Sequence, residues 1–248
     1  MQNDQNYWEK QFSNCVEIRM KLAQANFFYK TFKKLFPLQL QKEINIKNSS
    51  CCDFGCGLGN FTSRLHEIFP NVELYGVDYS KNAISYGSKH FQNVKFINTS
   101  LDNLNKNFDI MVTSNTLEHF SNPDKIMKQL LSHTNKIFMM LVPYEEMELY
   151  QEHLFSFQKS FFKRNVNDFE LIYLKSIDLS CSFNTMWLGK QVLAIYKAKN
   201  FVIDFAEDIE DIHIEKLTFI NKINYKINLF RRNGYRFVRK LLTKYSKK

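Results

Sequence analysis

The stretch Cys51-Cys52-Asp53-Phe54-Gly55-Cys56-Gly57-Leu58-Gly59-Asn60 constrains this chain more than any other. Apolar residues run into an acid, and three glycines then alternate with single residues. Phe61-Thr62-Ser63-Arg64-Leu65-His66-Glu67-Ile68-Phe69 follows with apolar positions near helical spacing. The pattern predicts a buried strand, a tight turn and a helix start. Glycines there permit positive φ and let a ligand approach bare backbone. The turn also aims free backbone N–H groups at whatever sits over the helix N-terminus.

Nineteen residues after Gly59, the strand-like run Val72-Glu73-Leu74-Tyr75-Gly76-Val77 ends in Asp78. In dinucleotide-binding folds an acid at this place accepts hydrogen bonds from ribose hydroxyls. The spacing here is Asp-x-Gly-x-Gly-x-Gly rather than Gly-x-Gly-x-x-Gly. It resembles motif I of class I S-adenosylmethionine (SAM)-dependent methyltransferases. The resemblance implies a Rossmann-like α/β fold, with a seven-stranded, mostly parallel sheet and helices on both faces. It implies SAM as cofactor. Asp53, Gly55, Cys56, Gly57 and Gly59 would form the turn under its methionine part, and Asp78, followed by Tyr79, would hold the ribose.

The rest of the chain is read around that core. Residues 1–44 are expected to form an N-terminal helical lid, with one helix from Tyr7 and a longer one from Arg19 to Phe36, stopped by Pro37. Tyr7 or Trp8 either packs on the cofactor or simply on the domain. Residues 45–198 are the expected SAM-binding domain. Ser80 is positioned to cap a helix reaching His90. Val94–Ile97 is a third strand. Where the resembling family often places an adenine-binding Asp, this chain has Ser100, so Ser100 or the backbone of Leu101 is the expected adenine contact. Residues 108–115 form a nearly continuous apolar strand that delivers Asn115 to the cofactor. The following Asn-x-Leu-Glu-His-Phe-x-x-Pro run resembles small-molecule methyltransferases, not the Asn/Asp-Pro-Pro-Tyr/Phe signature of amino-group enzymes. A helix is expected over 124–133, a fifth strand over 136–142 ended by Pro143, a short helix near Lys159–Arg164, and strands at 169–174 and 191–197.

Charge is unevenly distributed. The chain's net charge is +9, yet eleven Lys or Arg and no acid lie from Lys216 onward, leaving 23 basic against 25 acidic residues before it. A nucleic-acid footprint over the whole domain is therefore not expected. Residues 199–248 read as an acidic linker and a basic amphipathic tail. After Gly234, Leu241, Leu242 and Tyr245 share one helical face, suited to peripheral contact with an anionic membrane or to docking on the domain. The start is polar, without a signal peptide, and no apolar run reaches membrane-span length, so a cytoplasmic location, at most at the inner membrane surface, is expected. Five cysteines make no disulfide framework, and no Cys/His spacing suggests a metal, so none is expected.

Methyl transfer from a sulfonium needs in-line alignment more than activation. A hydroxyl acceptor also needs a proton acceptor, and His153 and His119 are the candidates, His153 first because the resemblance puts its segment over the acceptor. Each is also readable as a packing or capping residue. Glu118, Glu145, Glu146 and Tyr144 are weaker candidates. The expected activity is O-methylation of a small molecule, such as a sugar or phosphoryl-type group of a bacterial surface glycan (capsule or lipopolysaccharide). A quinone precursor, an RNA substrate and a non-catalytic SAM-binding role are the competing readings.

Overall fold

A computed structural model describes residues 4–180, 182 and 185–205. Cys181 and the basic tail, with the expectations placed on them, lie outside the described residues. Three helices come first: α1 (Gln5–Gln11), α2 (Cys15–Leu35) and α3 (Leu38–Ile44). Alternation of strands and helices follows: β1 (Ser50–Phe54), α4 (Asn60–Arg64), β2 (Glu73–Asp78), α5 (Lys81–His90), β3 (Val94–Asn98) and β4 (Phe108–Ser114). The chain continues through α6 (Pro123–Ser132), β5 (Thr134–Tyr144), β6 (Asn165–Val166), β7 (Phe169–Asp178) and β8 (Lys190–Ala198).

The strands form one sheet in the order β3-β2-β1-β4-β5-β8-β7-β6. The first five are parallel, and β8 runs antiparallel between β5 and β7. The eighth strand is the two-residue β6, a short hairpin partner of β7 that turns through Asn167 at positive φ. Two residues without an apolar pattern leave no sequence signal, which is why seven strands were expected.

Side chains alternate across the sheet, as the pleat requires. Cys51, Leu74, Ile110, Met139 and Ile195 face a core shared with Phe28, Tyr29 and Phe32 of α2 and Leu40 of α3. Cys52, Tyr75, Met111, Met140 and Ala194 face a second core under α6. Both cysteines are fully buried and unbridged, and burial raises their thiols well above the usual range. α2 and α3 are thus part of the first core, and α3 lies beyond the expected helical limit at Pro37, which serves as its N-cap.

Two expected boundaries shift. β5 does not stop at Pro143 but passes through it to Tyr144. β4 pairs with β5 only as far as Ser114 opposite Leu141, so at Pro143 only β8 lies alongside and the missing N–H costs no bond to β4. The helix expected near Lys159–Arg164 is a single 3-10 turn over Lys159–Phe161. Ser80 caps α5 as read, its hydroxyl accepting from Ala83 N at 3.2 Å.

Candidate active site

The strand order reverses between β1 and β4, and the carboxyl ends of the strands around that point open into a cavity of about 390 Å³. Open α/β sheets bind their ligands at such switch points. The glycine turn forms one wall. Gly55, Gly57 and Gly59 all hold positive φ, at 76°, 51° and 83°, a region where side chains with a Cβ are disfavoured. A Cβ on Gly55 would run into Thr116, and one on Gly59 into Phe96, whereas one on Gly57 would meet only the ring of Phe12 at 3.4 Å. Gly55 and Gly59 are therefore fixed by the protein itself, and Gly57 stands at the open side.

Asp78 sits at the end of β2 and closes the turn. Its Oδ2 accepts from Gly57 N at 2.9 Å, and Oδ1 accepts from Ser80 N at 2.9 Å. Each oxygen has a second lone pair, and the residue lines the cavity. Burial raises its carboxyl to about 6, against the backbone N–H groups of Ser80, Gly57 and Tyr79. Asp53 lies deeper, 2% exposed, with its Oδ2 accepting from Thr62 Oγ1 at 2.5 Å.

Burial also raises Asp53, to about 7, with Thr62 opposing. The unfolded chain ionises this group from about pH 4 upward, while the folded chain holds the proton until about 7. The folded state therefore loses stability as pH rises through that window. Without cofactor, the Asp53→Asn variant should gain on the wild type between about pH 5 and pH 8, by ~3 kcal/mol. Scanning calorimetry at both pH values checks this, and an unchanged gap in Tm would show Asp53 to be ionised in the folded protein.

α1 covers the cavity mouth. Glu9 receives the start of α5, accepting from Lys81 N at 2.7 Å, Asn82 N at 3.1 Å and Ser80 Oγ at 2.9 Å. Burial opposes ionisation of Glu9, but these donors outweigh it and lower its carboxyl. Gln5 Nε2 donates to the carbonyl of Tyr79 at 3.1 Å, and Tyr7 Oη donates to Glu152 Oε1 at 2.7 Å. So pinned, α1 turns Trp8 and Phe12 onto the cavity.

β4 delivers the opposite wall. Asn115 turns the chain at φ 50°, donates its N–H to Leu141 O at 2.8 Å and accepts from Gln191 Nε2 at 3.0 Å. Glu118 and His119 follow in a one-turn 3-10 helix. The carbonyl of Glu118 accepts from Leu154 N at 2.8 Å and Phe155 N at 3.2 Å, which docks the segment carrying His153. The two imidazole rings end 5.2 Å apart, with Trp8 5.0 Å from His119 and Trp187 stacked on His153 at 5.6 Å.

Each imidazole has its Nδ1 engaged by a pure acceptor. His119 Nδ1 lies 2.9 Å from Glu152 O, and His153 Nδ1 lies 2.9 Å from both carboxylate oxygens of Glu146. Carbonyl and carboxylate can only accept, so Nδ1 carries the proton on both rings. Burial lowers His119 to about 4, keeping it neutral. For His153 burial also acts downward, but Glu146 and then Glu118 outweigh it and raise the group. Glu118 is 1% exposed, burial raises its carboxyl to about 7, and its Oε2 has no hydrogen-bond partner among the described residues.

Of the residues singled out from sequence, Asp53, Gly55, Cys56, Gly57, Asp78, Tyr79, Asn115, His119 and His153 line this one cavity. Gly59 stands behind it as the α4 N-cap. Ser100 and Leu101 do not line it: Ser100 Oγ accepts from Asn103 Nδ2, and Leu101 is packed in the second core. Glu145 is paired with Lys190 at 2.5 Å, and Tyr144 is buried in the second core. Sequence reasoning missed Glu9, Glu152 and Trp187, which stand outside any motif.

A strand-turn-helix with an acid closing the glycine turn, at the switch point of a sheet whose antiparallel strand lies next to the fifth parallel one, defines a Rossmann-like fold of the methyltransferase class. The family model described as a methyltransferase domain matches residues 45–197, and the chain belongs to that family. Among curated proteins it is similar to the malonyl-[acyl-carrier protein] O-methyltransferase of Bacillus cereus, 25% identical over 148 residues, which are 58% of this chain and 55% of that protein. It is also similar to the tRNA (guanine-N(7)-)-methyltransferase of Clostridium botulinum, 28% identical over 107 residues, 38% of this chain and 49% of that protein. The chain spans about half the length of these curated relatives. Among solved structures, magnesium protoporphyrin IX methyltransferase from Synechocystis PCC 6803 with bound SAH has a TM-score of 0.55 at 14% identity, covering 77% of this chain and 93% of that one. The plantazolicin methyltransferase BpumL, in complex with a pentazolic desmethylPZN analog and SAH, has a TM-score of 0.54 at 16% identity, covering 81% of this chain and 100% of that one. No helix among the described residues is long and apolar enough to cross a membrane.

Proposed function

We propose that the protein binds SAM over the glycine turn and transfers its methyl group to a hydroxyl oxygen of a small, neutral acceptor. The observation that carries this is one cavity holding the glycine turn and Asp78 at one end and the His119–His153–Glu118 cluster at the other. Asp78 presents its carboxylate to the cavity for the ribose, and the cluster has nitrogen lone pairs for an acceptor proton. The sulfonium supplies the electrophile, so the protein aligns the acceptor and takes its proton. In the simplest path His153 Nε2 accepts that proton while Glu146 holds Nδ1–H. The oxygen attacks the methyl carbon, and the C–S electron pair stays on sulfur.

The walls favour a hydroxyl. Trp8, Tyr150 and Trp187 offer flat apolar faces on which a sugar or other ring can lie, while Glu118 and Glu152 line the same space. Carboxylates in that space oppose an anionic acceptor, so within surface-glycan chemistry a sugar hydroxyl fits better than a phosphoryl oxygen. A quinone precursor bearing a hydroxyl fits the same walls. A large RNA substrate is opposed by the near-neutral balance of the chain before Lys216. The test is incubation with methyl-labelled SAM and fractionated cell extract. Label in a small-molecule or glycan fraction, with S-adenosylhomocysteine formed in step, supports the reading; label in RNA, or none in any fraction, overturns it.

The tail extends the proposal to a location. Eleven cationic side chains and no acid from Lys216 onward suit an anionic membrane surface, each contributing about 1 kcal/mol when it reaches the surface. The full-length protein should cosediment with anionic vesicles and not with neutral ones. Truncation after Glu215 should abolish this and leave SAM affinity unchanged; persistent cosedimentation would place the membrane contact elsewhere.

A further inference from the structure

From the geometry of Glu118, His119 and His153 we infer a binding site for one divalent transition-metal ion, of the zinc type, at the acceptor end of the cavity. Nothing in the spacing of the sequence suggests it, since the ligands come from two separate loops. In the fold, one ligand atom from each residue lies within 4.8 Å of the other two. His153 Nε2 is 4.0 Å from Glu118 Oε1.

The donor chemistry matches. A histidine that binds a metal through one nitrogen almost always donates its other N–H to a carboxylate or backbone carbonyl. Both imidazoles do so: His153 Nδ1–H to the Glu146 carboxylate, His119 Nδ1–H to the Glu152 carbonyl. That fixes both tautomers with Nε2 lone pairs available. The third donor, Glu118, is buried with an oxygen that no hydrogen bond from the described residues satisfies. Such a group is costly unless a cation or proton neutralises it. Two imidazoles and a carboxylate, with the remaining direction open to a cavity, is the ligand set of metal sites that keep a position for substrate. Zn–N and Zn–O bonds of about 2.0–2.2 Å place ligands roughly 3.3 Å apart, so side-chain rotations of about an ångström would close the set.

The inference deepens the methyl-transfer reading and rests on it for the cation's role. A hydroxyl acceptor that binds the cation releases its proton to solvent. The resulting oxygen anion attacks the methyl carbon, sulfur keeps the bonding pair and leaves as S-adenosylhomocysteine, and the methyl ether dissociates. His153 is then a ligand rather than the base.

The test uses the full-length, tag-free protein, treated with chelator and then titrated with Zn²⁺ by calorimetry and with Co²⁺ by visible absorption. One Zn²⁺ per chain and d–d bands of a nitrogen/oxygen site are expected. Glu118→Gln and His119→Gln should each weaken Zn²⁺ by about 100-fold or more, and Glu146→Gln by about 10–100-fold. SAM affinity and circular dichroism should stay as in the wild type, which shows the variants folded. Absence of a stoichiometric site, or Zn²⁺ binding that the three variants leave unchanged, overturns the inference. SAM binding without Zn²⁺ binding overturns the metal site and leaves the methyl-transfer reading standing. Zn²⁺ binding sensitive to the variants, without SAM binding, does the reverse.

Discussion

The His153→Ala variant should turn over about 10²–10⁴-fold more slowly than the wild type, with SAM affinity nearly unchanged. The residue sits at the acceptor end, 8% exposed, held by Glu146 and stacked on Trp187. Removing the imidazole takes away the lone pair that receives or displaces the acceptor proton. It also takes from the Glu146 carboxylate the Nδ1–H that donates to it. The wild-type rate should fall as pH drops through the raised His153 pKa, because protonation occupies the same lone pair. Single-turnover kinetics with saturating SAM separate this from a binding defect. Wild-type turnover in the variant would shift proton removal to His119 or point to an acceptor oxygen that is already anionic.

The Gly57→Val variant should lose SAM affinity by about 100-fold or more, equivalent to ~2.7 kcal/mol. At φ 51° a β-branched residue is strained. Its side chain would project past Phe12 into the cavity rather than into the core. Gly55→Val is the contrasting variant, because its Cβ would collide with Thr116 inside the protein and destabilise the fold. Calorimetric titration with SAM, alongside thermal melts, checks both. A folded Gly57→Val protein with normal affinity would remove the turn from the cofactor site.

The glycine-turn half of the cavity is readable from the sequence because its physics is local. A buried strand, three glycines at fixed spacing and an acid one strand later are all short-range signals, and the fold brings Asp53, Gly55, Gly57 and Asp78 to the wall of one cavity. Ser80 was readable for the same reason, as a cap that bonds three residues ahead. Pro143 misled because its cost depends on a partner strand that ends two residues earlier, a tertiary fact. The acceptor half was only partly readable. His119 and His153 could be suspected as types, but their meeting depends on Leu154 and Phe155 bonding back to the Glu118 carbonyl. Glu118 looked like a weak candidate until its burial and its unpartnered oxygen were seen. Glu9 gives no capping signal at all, because it caps a helix more than seventy positions away.

In the proposed reaction the glycine turn and Asp78 hold SAM with its methyl group directed at the His119–His153–Glu118 cluster. A crystal structure with S-adenosylhomocysteine tests it most directly, through the distance from the Asp78 carboxylate to the ribose hydroxyls. Both hydroxyls within hydrogen-bond reach, about 2.6–3.0 Å, with the sulfur facing the cluster, is the expected result. A ribose bound away from Asp78, or a sulfur turned from the two imidazoles, would contradict that placement.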